Sequence, residues 1–328
     1  MTDKDFSAIN RKASRTGAGK RLRLFGMLYS FLKRLSRRPL ALAGLIFTLF
    51  FILLALIGPA VAPYSYDTII RGIDIGMDSR AALKGQAPSA EFPFGTDQRG
   101  RDILSRMLWG VRETLGLPLL ATSLSVILGS LLGLFIGFLG GRIDEFISRI
   151  LDSLLSIPAL VLALVSVSTI VPLLSESDSW IVQSLGSRNM SLTLVIIIIY
   201  VPIIARVVRS ATLSIRHRGY IEQARLRGES NAYILFREIL PGVLPTLVVE
   251  ASLRLSYAII LVTSLGFLGL GVQPPVAEWG RMVLDARPRI LDEPWELWIP
   301  VTGIALLIIS VNLMSDGLRK VLQKEDAR

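Results

Sequence analysis

Residues 40–62 form the run LALAGLIFTLFFILLALIGPAVA, which contains no charged side chain. An α-helix needs about 20 apolar residues to cross the hydrocarbon core of a bilayer. Five further charge-free stretches follow, at about 115–140, 153–172, 189–205, 255–275 and 297–315, and charges are dense between them. The pattern predicts an all-α polytopic membrane protein with six transmembrane helices.

The charge and residue composition exclude several other classes. Lys and Arg total 36 against 26 Asp and Glu, but no basic groove with interleaved aromatic residues indicates nucleic acid. The basic residues cluster in loops, which favours membrane lipid as the partner. The chain has no cysteine and one histidine, His217. Disulfides and thiol chemistry are excluded, and we expect no metal site.

Basic residues set the orientation that we expect in the membrane. They precede the first span and predict a cytoplasmic N-terminus, to which six spans return the C-terminus. These residues are Lys12, Arg15, Lys20, Arg21, Arg23, Lys33, Arg34, Arg37 and Arg38, with Arg319, Lys320 and Lys324 at the other end. The predicted segments are a basic cytoplasmic segment 1–38, a first transmembrane helix 39–63, an extracytoplasmic loop 64–112, a five-helix core 113–317 and a cytoplasmic tail 318–328.

Within the predicted outer loop, residues 96–112 have helical periodicity. Thr96 is a suitable N-cap residue, and apolar residues from Ile103 to Val111 fall on one face. Asp97–Arg101 and Asp102–Arg106 have the i,i+4 spacing of ion pairs. We expect an amphipathic helix, either along the outer membrane surface or as a cap on the protein's own core.

Glycines mark two places of special packing. Gly129, Gly133 and Gly137 form a small-residue ridge on the second span, which allows another helix to approach closely; a hinge is the alternative. Gly266, Gly269 and Gly271 predict an irregular outer segment after the fifth span, as a gate, a partner contact or a plain helix end. Trp279, Trp295 and Trp298 are typical of anchors at the outer interface.

Residues 206–241 form a long loop that we expect on the cytoplasmic side. Its centre, YIEQARLRGE at 220–229, predicts a short helix. A stripe of largely small residues predicts a face on which a partner can dock at backbone distance, although an ordinary connector is the alternative. The stripe comprises Ile221, Ala224, Gly228, Ala232 and Leu235. Pro241 is expected to stop the helix and redirect the chain into the fifth span.

Glu250 and Arg254 are ionisable residues within one to two turns of the start of that span. Their i,i+4 spacing allows them to pair on one helix face. Charged residues in a span usually face the bundle or a water-filled path. A charge in the solute pathway and a buried ion pair are both compatible with this pattern.

Several motifs, in a shared order over about residues 35–320, resemble the permease subunits of ABC importers. The segment Glu222-Gln223-Ala224, Gly228 and Ile239-Leu240-Pro241 resemble the EAA loop of that family, with Gln223 in place of its middle alanine. FGTDQRGRD at 94–102, SLGFLGLGVQPP at 264–275 followed by EWG at 278–280, and NLMSDGLR at 312–319 are similar to the second permease subunit of dipeptide and oligopeptide importers.

The resemblance implies a type I ABC importer permease fold in the bacterial inner membrane, with an EAA-type coupling helix. It implies four kinds of partner: a second homologous permease, two ATPase subunits, an extracytoplasmic solute-binding protein and membrane lipid. The residues implied at the ATPase interface are Glu222, Gln223, Ala224, Arg225, Gly228, Leu240 and Pro241. The chain has no Gly-x4-Gly-Lys-Ser/Thr phosphate loop, so ATP and Mg²⁺ are expected on the ATPase subunits, and this chain is expected to be non-catalytic with no bound cofactor.

The solute class implied is di- or oligopeptides, with oligosaccharides or metal complexes as alternatives. A secondary transporter or channel without ATPase subunits is the competing function. That class predicts mid-span ionisable residues and paired broken helices.

Overall fold

A computed structural model describes residues 38–76, 81–176 and 179–326, and this part of the chain contains helices and no strand. The helices are α1 (Pro39–Val61), α2 (Ile103–Leu139), α3 (Gly141–Leu155), α4 (Ala159–Ser175), α5 (Trp180–Leu185), α6 (Ser187–Ile215), α7 (Gly219–Leu226), α8 (Asn231–Tyr233), α9 (Leu240–Phe267), α10 (Trp279–Ala286) and α11 (Pro294–Asp326). Short 3₁₀ helices lie at Gly72–Ile75 and Arg287–Arg289, and a π-helical stretch at Ile234–Ile239 joins α8 to α9. Of the basic residues used for orientation, those before Arg38 lie outside the described residues.

Up to six elements of the described chain are long and apolar enough to span a membrane. Five are single helices: α1, α2, α6, the continuous α8–α9 segment Asn231–Phe267, and α11. The sixth is the pair α3 and α4, which is bent by 85° at the break around Pro158. The predicted all-α membrane fold with six spans is confirmed. The sequence did not predict the bend between α3 and α4, because the length of a charge-free run does not show where a helix changes direction.

The fifth span begins much earlier than the predicted 255–275, at Asn231. Pro241 does not stop the helix as expected. It lies in the first turn of α9, where a missing N–H is tolerated. Immediately before it, Leu240 N–H donates to Leu235 O, five residues back, so the π-helical stretch carries the chain into the proline without a break.

Buried side chains form two main packing centres. The larger lies between α2, α4, α6 and α9, and it extends under α7 and the π-helical stretch. The second joins α1, the N-terminal part of α2, α10 and α11. The two centres lie towards opposite ends of α2, which we call the α7 end and the α10 end.

The helix expected at 96–112 is different in the structure. It begins at Ile103, after Asp102, whose side chain accepts a hydrogen bond from Ser105 N, and it continues without a break through α2. Thr96 is not the N-cap, because its buried hydroxyl bonds Leu83 O and accepts from Gln86 N within the loop. There is therefore no separate surface helix; its apolar face is the buried start of α2.

The tryptophans do not share one role. Trp279 is 2% exposed and lies in the second packing centre, where its Nε1 donates to Met107 O. The prediction of an interface anchor was wrong for this residue, because α10 folds back into the bundle. Trp298 is 56% exposed on α11, and its role as an interface anchor stays a prediction.

Candidate functional site

The short helix α7 lies at the end of the bundle where α2 and α6 finish. Its inner face consists of Ile221 and Ala224, both fully buried in the larger packing centre together with Ile234, Ile239 and Val243. The small methyl of Ala224 lets α7 sit close to the π-helical stretch on which it packs. The inner face therefore fixes α7 to its own chain.

The outer face of α7 is exposed and mixed in character. Leu226 is 88% exposed and Tyr220 41%, and Glu222, Gln223 and Arg225 are also exposed. The predicted docking stripe was wrong for Ile221 and Ala224, since both point inward. Helical spacing correctly groups Ile221 and Ala224 on one face of α7, but that face is buried. The surface open to a partner is the opposite face.

Gly228 ends α7 in a left-handed conformation, with φ +77°. Gly228 N–H donates to Arg225 O, and Glu229 N–H donates to Ala224 O. This pair of hydrogen bonds is the Schellman motif, which satisfies the last carbonyls of a helix. It favours glycine, because a Cβ atom is strained in the left-handed conformation. The glycine thus shapes the end of α7, and a Cβ built on it meets nothing within 4 Å.

Charged groups tie α7 to its surroundings. The Arg225 guanidinium lies 5.4 Å from the centre of the Phe138 ring in α2. Arg216, just before α7, donates from Nη1 to Gly137 O over 3.0 Å. Arg209 of α6 forms a two-pronged bond to Asp144 of α3, with an Nη2–Oδ2 distance of 2.6 Å. The first two contacts link α7 and the residues just before it to α2, and the third links α6 to α3.

The three ridge glycines of α2 lie against α6. A Cβ on Gly129 would come within 2.8 Å of Ile204 Cβ, one on Gly133 within 2.5 Å of Ala205 O, and one on Gly137 within 2.8 Å of Thr212 Cβ. Such distances force a shift in the neighbour, so the close contact of α2 with α6 requires these glycines. α2 and α6 form the most extensive helix pair of the described chain.

Leu240 and Pro241 lie apart from α7, in the first turn of α9. Leu240 is half-buried against the larger packing centre, and Pro241 is exposed. The structure thus brings Glu222, Gln223, Ala224, Arg225 and Gly228 onto one element. Leu240 and Pro241 belong to the helix that follows.

Glu250 and Arg254 form the ion pair that their spacing predicted, with a distance of 2.6 Å between Arg254 Nε and Glu250 Oε1. The guanidinium also lies over the rings of Tyr200, at 5.9 Å, and Tyr257, at 5.3 Å. Glu250 is 8% exposed. Within the described residues, no three His, Cys, Asp or Glu side chains are grouped so as to hold a metal ion.

Comparison with known proteins identifies the family. Residues 129–325, more than half of the chain, match the model of the binding-protein-dependent transport system inner membrane component. The chain belongs to this family. Residues 26–85 also match the N-terminal transmembrane domain of oligopeptide transport permease C. The resemblance to permease subunits of dipeptide and oligopeptide importers is confirmed.

Relatives of this permease match it over most of their length. A dipeptide transport system permease of Alkalihalophilus pseudofirmus is 37% identical over 88% of this chain and 87% of its own. A di/tripeptide permease of Pseudomonas aeruginosa is 37% identical, with 86% and 87% covered. A glutathione permease of Pectobacterium atrosepticum is 34% identical, with 89% of each chain covered.

The fold of the permease also has a solved counterpart. A chain of the MetNI methionine ABC transporter, in inward-facing conformations, matches with a TM-score of 0.51 at 20% identity, over 66% of this chain and 96% of that one. At this identity the likeness shows the fold, which is the predicted ABC importer permease fold.

Two features of the permease escaped sequence reasoning. Leu226 is outside the predicted stripe, although a leucine between Arg225 and Arg227 at the end of a short helix is a signal of an exposed apolar contact. Glu278 belongs to the motif EWG, for which the sequence predicts no separate role. It is fully buried as the N-cap of α10, where Oε1 accepts from Gly280 N and Oε2 from Arg281 N, both at 2.8 Å.

Proposed function

We propose that this permease forms one half of the pathway of an ATP-driven importer for di- or oligopeptides, and that α7 is its coupling helix. The observation that carries the proposal is Leu226, an 88% exposed leucine on a helix whose opposite face is fully buried. A large apolar side chain presented on a rigid element, among charged neighbours, is suited to a pocket on a protein partner. The resemblance of residues 222–241 to the EAA loop supports the ATPase subunit as that partner.

Membership of the family supports the rest of the assembly that we propose. A second homologous permease completes the pathway, two ATPase subunits bind ATP and Mg²⁺, and an extracytoplasmic binding protein delivers the solute. In this arrangement the α7 end is cytoplasmic, as are both termini, and the α10 end is extracytoplasmic. The chain itself is non-catalytic and holds no cofactor.

The coupling surface that we propose differs from the one inferred from sequence. Tyr220, Gln223 and Leu226 contact the ATPase, with Glu222 and Arg225 at the rim. Ala224 acts indirectly, because it packs α7 against the π-helical stretch. Gly228 also acts indirectly, because it ends α7. Leu240 and Pro241 act through the start of the fifth span.

Peptide as the solute is supported by the relatives, which are named for dipeptides, di/tripeptides and glutathione. Glu250 and Arg254 are proposed to be a structural pair, not a solute site. Each satisfies the other at 2.6 Å, and the two tyrosine rings cover the guanidinium. A pair closed in this way leaves little charge for a solute to bind.

Uptake in proteoliposomes tests the function. The full assembly is reconstituted with labelled dipeptide, an oligosaccharide or a metal complex outside, and ATP inside. We expect uptake of the dipeptide only, and none when the ATPase subunits are omitted. Dipeptide uptake without ATPase subunits would instead establish a secondary transporter, and uptake of the oligosaccharide or metal complex alone would overturn the peptide assignment.

A further inference from the structure

The motif FGTDQRGRD forms a buried ion cluster at the α10 end, a feature that the coupling function does not use. Asp97 is at its centre: Oδ1 accepts from the backbone N–H of Arg99 and Arg101, and Oδ2 accepts from Arg101 Nε at 2.7 Å. Arg106 Nε lies 3.7 Å from the same Oδ2. Asp97, Arg101 and Arg106 are each 4% exposed or less.

The cluster joins the loop before α2 to α11. Gln98 N–H faces Glu296 Oε1 at 3.4 Å, and Arg289 donates from Nη2 to Gln98 Oε1 at 2.9 Å. Glu296 itself is 5% exposed, in the first turn of α11. Loop and helix therefore meet through polar groups that are removed from bulk water.

One oxygen at this junction is not satisfied by protein. Glu296 Oε2 is buried and has no hydrogen-bond partner among the described residues. A buried carboxylate oxygen left without a donor is costly. Glu296 lines a small cavity with about 10 Å³ open to the centre of a water molecule. The other lining residues are Asp97, Arg101, Ile103, Arg106, Met282 and Asp285.

The charges of the lining decide what the cavity can bind. Two guanidinium groups disfavour a cation, and three carboxylates disfavour an anion. The space is about that of one water molecule, which needs two to four polar partners. A water can donate to a carboxylate and accept from a guanidinium at the same time.

We propose that this cavity binds one buried water, which donates to Glu296 Oε2 and accepts from Arg101 or Arg106. The water completes the contact between the loop at 95–102 and α11, and it allows the charged cluster to remain buried. Motif and helix then move as one unit at the α10 end.

A structure of the intact transporter in lipid nanodiscs, at a resolution that shows waters, tests the proposal. We expect one density peak within about 2.6–3.2 Å of Glu296 Oε2 and of a guanidinium nitrogen. No peak, with Glu296 bonded directly to Arg106 or sharing a proton with Asp97, would overturn it. A peak surrounded by oxygens at about 2.3–2.6 Å would also overturn it, because that distance indicates a metal ion.

Two variants of Glu296 distinguish loss of the water from loss of the fold. Glu296→Gln keeps an acceptor and is expected to retain the peak, whereas Glu296→Met fills the space and is expected to lose it. Glu293→Gln, one turn earlier and outside the cavity, is the matched control and should keep the peak. Loss of the peak in the control, or its retention in Glu296→Met, would contradict the assignment.

Discussion

Gly133 of α2 lies directly against Ala205 of α6, so that a methyl group on Gly133 would come within 2.5 Å of the Ala205 carbonyl oxygen. The obstacle is backbone, which cannot rotate away as a side chain can. The two helices that lead to the candidate coupling helix are thus held at a distance that only glycine permits.

Gly133→Ala is predicted to destabilise the permease. Overpacking costs about 1–3 kcal/mol, and the gain in helix propensity offsets at most ~1 kcal/mol of this. Gly116 in the same helix is the control, because a Cβ there meets nothing within 4 Å. Thermal unfolding in detergent should show a lower midpoint for Gly133→Ala and an unchanged or higher one for Gly116→Ala. Equal midpoints would contradict the close-packing account.

Gly228→Ala is predicted to weaken coupling through the end of α7. A non-glycine residue in the left-handed region costs about 1–2 kcal/mol, so the Schellman turn should open and the last turn of α7 should fray. ATP-driven uptake should fall several-fold. Gly219→Ala, at the start of the same helix and without a positive φ, should keep wild-type uptake. If both variants transport normally, the cap has no part in coupling.

Asp144→Asn is predicted to loosen α3 from α6. The Asp144 side chain is 9% exposed and bound by Arg209, so its loss leaves a partly buried guanidinium without its partner. We expect a loss of about 1–3 kcal/mol in the free energy of unfolding. Glu145→Gln is the control, since Glu145 and Arg149 form an exposed pair at 63% and 76%, of the kind that contributes little. A loss from Glu145→Gln as large as that from Asp144→Asn would refute the distinction.

Burial raises the pKa of Glu278 from 4.5 to about 7, an effect that Glu113 reinforces and that the backbone N–H groups of Gly280 and Arg281 oppose. Between these values the folded protein holds a proton that the unfolded chain releases. Stability therefore falls as pH rises from about 4.5 to about 7 and is then constant with respect to this group.

Glu278→Gln isolates that contribution, because the amide stays neutral. The unfolding midpoint of the variant minus that of wild type should rise from pH 5 to pH 7 and then level off. A difference that is flat, or that falls with pH, would show that Glu278 is ionised throughout.

Much of the fold could be predicted because every span needs an apolar run long enough to cross the same bilayer. The charge-free runs gave the six regions, and the spacing of Gly129, Gly133 and Gly137 gave a contact face. The fifth span was placed too late, because Pro241, Glu250 and Arg254 interrupt its apolar run. In the structure a π-helical stretch accommodates the proline, and the two charges satisfy each other.

The short helix expected at 220–229 is present as α7, but its small-residue face is buried and not open to a partner. Helical spacing shows that Ile221 and Ala224 share a side; it does not show whether that side faces the chain's own core or a partner. Tertiary packing decides this, as it does for Trp279, which is buried, and for Thr96, whose hydroxyl is used within the loop. Arg101 pairs with Asp97 as its spacing predicts, but Arg106 lies near Asp97 and not Asp102, because Asp102 caps the start of α2.

In the proposed assembly the exposed face of α7 binds the ATPase subunit, and retention of ATPase subunits on the tagged permease pair measures that contact. The variant is Leu226→Asp, and the control is Leu291→Asp, a leucine that is 93% exposed at the opposite end of the bundle. We predict at least a roughly tenfold loss of ATPase binding in Leu226→Asp, because an interface cannot easily bury an unpaired carboxylate, and no loss in Leu291→Asp. Full retention by Leu226→Asp, in a permease pair that is still assembled, would contradict the assignment of α7 as the coupling helix.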